Sequence, residues 1–175
     1  MQATVEMEGG AFNRNYFQDG EKKIGFRMDS KMSASGEATC ATFSYSDLTM
    51  ADMKLRKSPY AAIPAFDAKI AEALRVAARG SLPPGAAEVA LEQESPNAVA
   101  INGWTSYQFV FTFKLYNSTF RESVTFLNYT EKEQLLFVVS AKADDFSKAY
   151  FRGYKVLNSF FQMKDADKAH AATTS

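Results

Sequence analysis

Between Ile24 and Met32, the apolar residues Ile24, Phe26 and Met28 alternate with Gly25, Arg27, Asp29 and Lys31, the two-residue period of a half-buried strand. A turn at Gly36 leads to a second strand over Thr39–Tyr45, which carries Cys40, Ala41, Phe43 and Tyr45, so the pair reads as a hairpin. The period then changes. Ile63, Phe66, Ile70, Leu74 and Ala77 recur at three and four residues, and Asp67, Lys69, Glu72, Arg75 and Arg79 fill the remaining positions. Ser58-Pro59 supplies a serine cap and a proline at the first helical position, so the helix is predicted to begin there, or with its regular turns delayed by Pro64 to about Ala62 or Pro64, and to leave at Gly80, ahead of Pro83-Pro84.

Sheet character returns after that connector. Short strands are predicted at Ala87–Glu92 and Ala98–Asn102. Thr105–Tyr116 sets Tyr107, Phe109, Phe111, Phe113 and Leu115 against Ser106, Gln108, Val110, Thr112, Lys114 and Tyr116, which predicts a central strand covered on one side. Asn117-Ser118 reads as a two-residue hinge, Thr119–Tyr129 resumes the alternation, and Glu131-Lys132 separates it from the apolar run Gln134–Ala141. Connections this short exclude crossover helices, so these three segments form an antiparallel meander. Asp144 or Asp145 then caps a helix whose stripe is Phe146, Ala149, Tyr150, Gly153, Leu157 and Phe160. The expectation is one α+β domain over residues 1–163, an antiparallel sheet of about six strands covered by two main helices, with a loosely ordered start and a polar flexible tail at 164–175.

Composition narrows the chemistry. The chain has 175 residues, and its twenty Lys plus Arg balance twenty Asp plus Glu, so no global field favours nucleic acid or an anionic membrane. One cysteine, Cys40, excludes an intrachain disulfide, and one histidine, His170, provides no ordinary His-based zinc site; Cys40 reads as an inert core thiol. No glycine-rich nucleotide loop is present, and no cofactor or metal is expected. Asp144-Asp145 reads as a cap and not as a cation site. No run reaches the roughly 18 apolar residues of a membrane helix. Met1–Gly10 has neither the basic opening nor the apolar run of a secretory signal, so the expectation is cytoplasmic as printed, and periplasmic or extracytoplasmic if a leader was removed.

The order of helix, proline-rich return, meander and final helix, together with Asn102-Gly103, Phe109, Phe111, Phe126-Leu127-Asn128 and Ser159-Phe160, resembles the PsbP-like superfamily, including its bacterial DcrB-like branch, over Ile24 to Phe161. The resemblance implies an antiparallel sheet flanked by helices, in a group whose members mostly bind, assemble or chaperone other proteins. A noncatalytic protein-binding or assembly module is therefore the leading expectation, with a protein partner of unidentified kind. Its candidate contact residues are Trp104, Tyr116 and Tyr129, as aromatic anchors near strand ends, otherwise structural covers over an edge of the core, and the positive run Lys54, Arg56 and Lys57, otherwise a solvated connector. The rival is a small-molecule binder or enzyme with a pocket between sheet and helices, where a tyrosine, Arg121 or Glu122 is the polar handle.

Overall fold

The computed structural model describes residues 13–19, 22–32, 38–45, 48, 50–99, 105–128, 130–155 and 157–158, with backbone pairing alone for the first three strands. Its elements are β1 (Asn13–Asp19), β2 (Lys22–Met32), β3 (Ala38–Tyr45), β4 (Asp52–Ala61), α1 (Ala68–Arg79), β5 (Ala87–Pro96), β6 (Ser106–Leu115), β7 (Ser118–Asn128) and β8 (Glu133–Lys142). A second helix, α2, covers 146–155 and includes 157 and 158.

All eight strands join one sheet in the order β1-β2-β3-β4-β8-β7-β6-β5, and every neighbouring pair is antiparallel. Two four-stranded meanders thus lie side by side, meeting where β4 pairs with β8. The α+β class, the antiparallel sheet, the two helices and the β6-β7-β8 meander agree with the sequence pattern. Among the described residues the sheet has eight strands where about six were expected, because β1 and β4 also pair.

β4 corrects the largest misplacement. Ser58-Pro59 does not start a helix; both residues lie within β4. Met53 and Leu55 are buried while Lys54 and Arg56 are exposed, so the period here is two. Ser58 Oγ donates to Gln134 Oε1 at 2.7 Å and accepts from the Tyr60 N–H, using its hydroxyl within the sheet and not as a helix cap. Between Lys57 and Ala61 the register with β8 shifts, a break that tolerates Pro59, which has no N–H to donate. The true cap is Asp67, whose carboxylate accepts from Ile70 N–H at 2.8 Å. Ile63 and Phe66 belong to the connector, yet they pack on the same core as Ile70, Leu74 and Ala77, which is why the stripe looked continuous. Asn128 pins that connector, accepting from Ile63 N–H and donating to Ile63 C=O.

The sheet is buried on both faces. α1 covers Phe109, Phe111, Val124, Phe126, Leu136 and Val138. Phe146, Ala149 and Leu157 of α2 cover the opposite face, with Val110, Leu127, Phe137 and Val139 beneath them. β6 is therefore not covered on one side only: Gln108 to Phe111 is buried without interruption. Two boundaries also move. β5 runs on to Pro96, and Asn97, Ala98 and Val99 form a turn where a strand was expected; positions 100–104 lie outside the described residues. The β6–β7 turn is Tyr116-Asn117, one residue before the expected hinge, because Leu115 and Ser118 are paired.

Candidate functional site

The hairpin between β6 and β7 closes with two residues. Tyr116 and Asn117 both have positive φ, 51° and 59°, the signature of a type I′ turn, whose backbone twist matches the strands it joins. Asparagine tolerates that conformation; a tyrosine does so at a cost of about 1 kcal/mol, because its Cβ crowds the following carbonyl. Tyr116 is nevertheless 75% exposed, so no core contact compensates. Around it, Lys114 pairs with Glu88 at 2.9 Å, and Gly85, at φ 87°, lies beside Leu115. The Ala143 N–H donates to Thr119 C=O at 2.9 Å and so seats the start of α2 at this same end of the sheet. A paired frame thus holds an exposed aromatic ring.

A second feature lies between the sheet and α2: a cavity of about 530 Å³. Its floor is formed by Gln108 and Val110 of β6 with Arg121 of β7, and Phe146 and Tyr150 of α2 close over it. The remaining wall is β5, bent by a bulge: Leu91 pairs with Phe111 and Gln93 with Val110, leaving Glu92 as the additional residue. That bend lets Glu92 accept from Arg121 Nη2, although Arg121 stands two strands away. The Arg121 guanidinium also sits 5.7 Å from the centre of the Phe146 ring. Gln108 Nε2 donates both to Thr125 Oγ1 and to Tyr150 Oη, each at 2.9 Å, which fixes the floor to the helix. Burial pushes the Tyr150 phenol upward, against the lowering effect of the Gln108 bond.

Arg121 and Glu122, adjacent in sequence, separate to opposite faces by strand alternation. Glu122 lies on the α1 side and is 4% exposed, with Oε2 lacking a partner. Burial pushes its carboxyl up to about 8, and the Asp52 carboxylate adds to the rise; Lys54, the Ser81 hydroxyl and Arg56 oppose it. Asp52 and Glu122 both pair with Ser140 from its two sides, so the register explains the coupling. Asp52 is itself raised by burial.

The structure gathers few of the residues that the sequence suggested. Tyr116 is exposed at the tip of the β6–β7 hairpin. Lys54 and Arg56 lie on a strand and not on a connector, and share its α1 side; Lys57 pairs in register with Leu135. Trp104 and Tyr129 lie outside the described residues. Asp145 holds the capping position of α2, since its carbonyl accepts from Ala149 N–H, and Asp144 is in the preceding turn. Gln108, Tyr150 and Glu92 were not foreseen as a group. The one sequence sign was an amide at position 108 in an otherwise aromatic and aliphatic run. Among the described residues, no group of three or more His, Cys, Asp or Glu side chains could hold a metal ion, and no helix is long and apolar enough to cross a membrane.

These elements define an α+β protein with an antiparallel sheet and one helix on each face. Among solved structures, the fold is shared by PA94, a Pseudomonas aeruginosa protein of unknown function described as a candidate regulator, with a TM-score of 0.50 and 10% identity over 86% of this chain and 96% of that one. No family model and no curated protein matches the sequence.

Proposed function

We propose that the protein is a noncatalytic binding module that engages a protein partner through the tip of the β6–β7 hairpin. The observation that carries this reading is Tyr116: a bulky residue in the left-handed region, three-quarters exposed, at a position where glycine or asparagine would relieve the strain. A local rule broken without a packing gain points to use of the side chain itself. Tyrosine suits that use, because its rigid ring offers a large contact area with little rotamer entropy to lose, and tyrosines are enriched where interfaces concentrate their energy. The Lys114–Glu88 pair beside it would supply a polar rim. The helix on each face of an antiparallel sheet supports membership of the PsbP-like superfamily in its DcrB-like branch, and PA94's description as a candidate regulator agrees with a binding role.

The test is affinity capture from the native organism with wild type and Tyr116→Gly in parallel. Glycine keeps the turn, so folding is preserved. A protein retained by the wild type and lost with the variant, reproduced with the two purified components, supports the reading. Identical retained sets overturn it, as would specific, saturable turnover by the wild type in a broad metabolite screen.

A further inference from the structure

We propose that the cavity between α2 and the β5–β7 part of the sheet binds a small uncharged molecule that presents a carbonyl or hydroxyl oxygen next to an apolar body. The site is separate from the hairpin tip and stands or falls independently of it. Its volume, about 530 Å³, falls within the range of small-molecule pockets.

One hydrogen-bond donor at the cavity is left open. Among the described residues Arg121 Nε has no partner, but it is closed to solvent and so does not face the cavity, while the Nη2 of the same guanidinium is held by Glu92. Tyr150 Oη accepts from Gln108 Nε2 and so has its own proton left to give. Gln108 cannot compete for a ligand oxygen with that nitrogen, because both of its amide hydrogens are already used, on Thr125 and Tyr150. A ligand oxygen that accepts from Tyr150 O–H would use the donor that the protein leaves open at the cavity.

Charge selects against ions. Among the described lining residues, the one cation and the one anion, Arg121 and Glu92, are paired with each other. An anionic ligand would face Glu92 and lose its hydration without gaining a free counter-charge, and a cationic ligand would meet an already engaged carboxylate. Val110, Ala98 and the Phe146 ring provide the apolar surface for the rest of the molecule. The Glu92 bulge and the Arg121 reach across β6 thus form the wall of a neutral site.

The experiment uses four probes of similar size: benzamide and benzyl alcohol, which are neutral oxygen acceptors, benzoate as the anion, and toluene as the apolar control. Binding is followed by the shifts of the Gln108 side-chain amide and the Arg121 Nε–H resonances. Benzamide or benzyl alcohol should saturate these shifts in the millimolar range expected of so few atoms, and more tightly than benzoate or toluene. Tyr150→Phe should weaken binding about 2- to 10-fold, the size of one neutral hydrogen bond. Ala98→Phe, at an exposed lining position that tolerates bulk, should abolish it, and this provides the answer if Tyr150→Phe does not fold. The proposal is overturned by any of four results: no saturable shift with either neutral acceptor, equal binding of toluene, tighter binding of benzoate, or neutral-probe affinity that is unchanged in both variants.

Discussion

The two faces of the sheet are closed in different ways. On the α1 side, rings follow one another from Phe66 to Tyr107 to Phe109 to Phe126, with centroid separations of 5.3, 5.2 and 6.2 Å, and α1 lies over them. Arg75 of α1 clamps Glu94 of β5 with two nitrogens, and Tyr107 Oη donates to the same carboxylate at 2.8 Å, so helix, edge strand and β6 share one fastening. On the α2 side the core is mainly aliphatic, and a cavity remains beside the first turns of the helix. Large rings fill the first layer. The second layer has polar side chains directed at each other and room left over. Tight packing contributes to stability, whereas recognition of a ligand would need vacant space, and the packed layer and the space lie on opposite sides of the sheet.

The largest expected effect tests that division. Phe126→Ala should remove about 3–5 kcal/mol, since its ring is 2% exposed and meets Phe109 edge-on. Phe146→Ala should remove less, about 1.5–3 kcal/mol, because the cavity already leaves part of that ring without neighbouring atoms. Denaturant midpoints compare the two, and equal losses would break the contrast.

Next is the buried acid of the α1 face. Glu122 titrates near pH 8 when folded and in the ordinary carboxylate range when unfolded, so between these values the unfolded chain holds fewer protons. Stability should therefore fall as pH rises from about 5 and level off above about 8. Asp52, shifted in the same direction, adds to the fall. Glu122→Gln should flatten most of that slope and raise stability at pH 8 by a few kcal/mol, as urea melts across the range would read. A pH profile identical to the wild type would show the carboxylate to be hydrated.

How far the fold could be read from the sequence depended on whether local pattern and tertiary setting agreed. The β6-β7-β8 meander was legible because unbroken alternation and two short connections leave few arrangements. β4 was not, because Ser58-Pro59 imitates a helix start, and only the Gln134 amide across the sheet shows what the serine does. Tyr116 could be named but not judged, since exposure depends on which pair of residues forms the turn. The cavity depends on a β5 bulge, an Arg121 side chain and a helix roof from distant parts of the chain, and no spacing announces such a convergence.

Smaller effects sharpen the same contrast. Asp67→Ala should lower stability by about 1 kcal/mol through loss of the cap that anchors α1, and leave the cavity's probe affinities unchanged. A change in those affinities would mean that the two faces communicate through the sheet. The smallest shift is expected for Tyr116→Gly, which should leave the melting midpoint unaltered or raise it by less than about 1 kcal/mol in stability. A clear loss would reveal a packing role for the ring.

The seam between the two meanders also sets the order of assembly. Hairpins such as β6–β7 close over two residues, whereas Ser58 meets Gln134 across 76. Chain-closure entropy makes the second event harder by about 3 kcal/mol. Each four-stranded half can form its ladders from near neighbours, but the β4–β8 seam must wait for a long-range encounter, and folding should be slow for a chain of this size. Until that encounter, β8 presents an apolar, unpaired flank, from Leu135 to Val139, as the edge of a half-built sheet. That interval is when this protein is most open to pairing with another copy of itself.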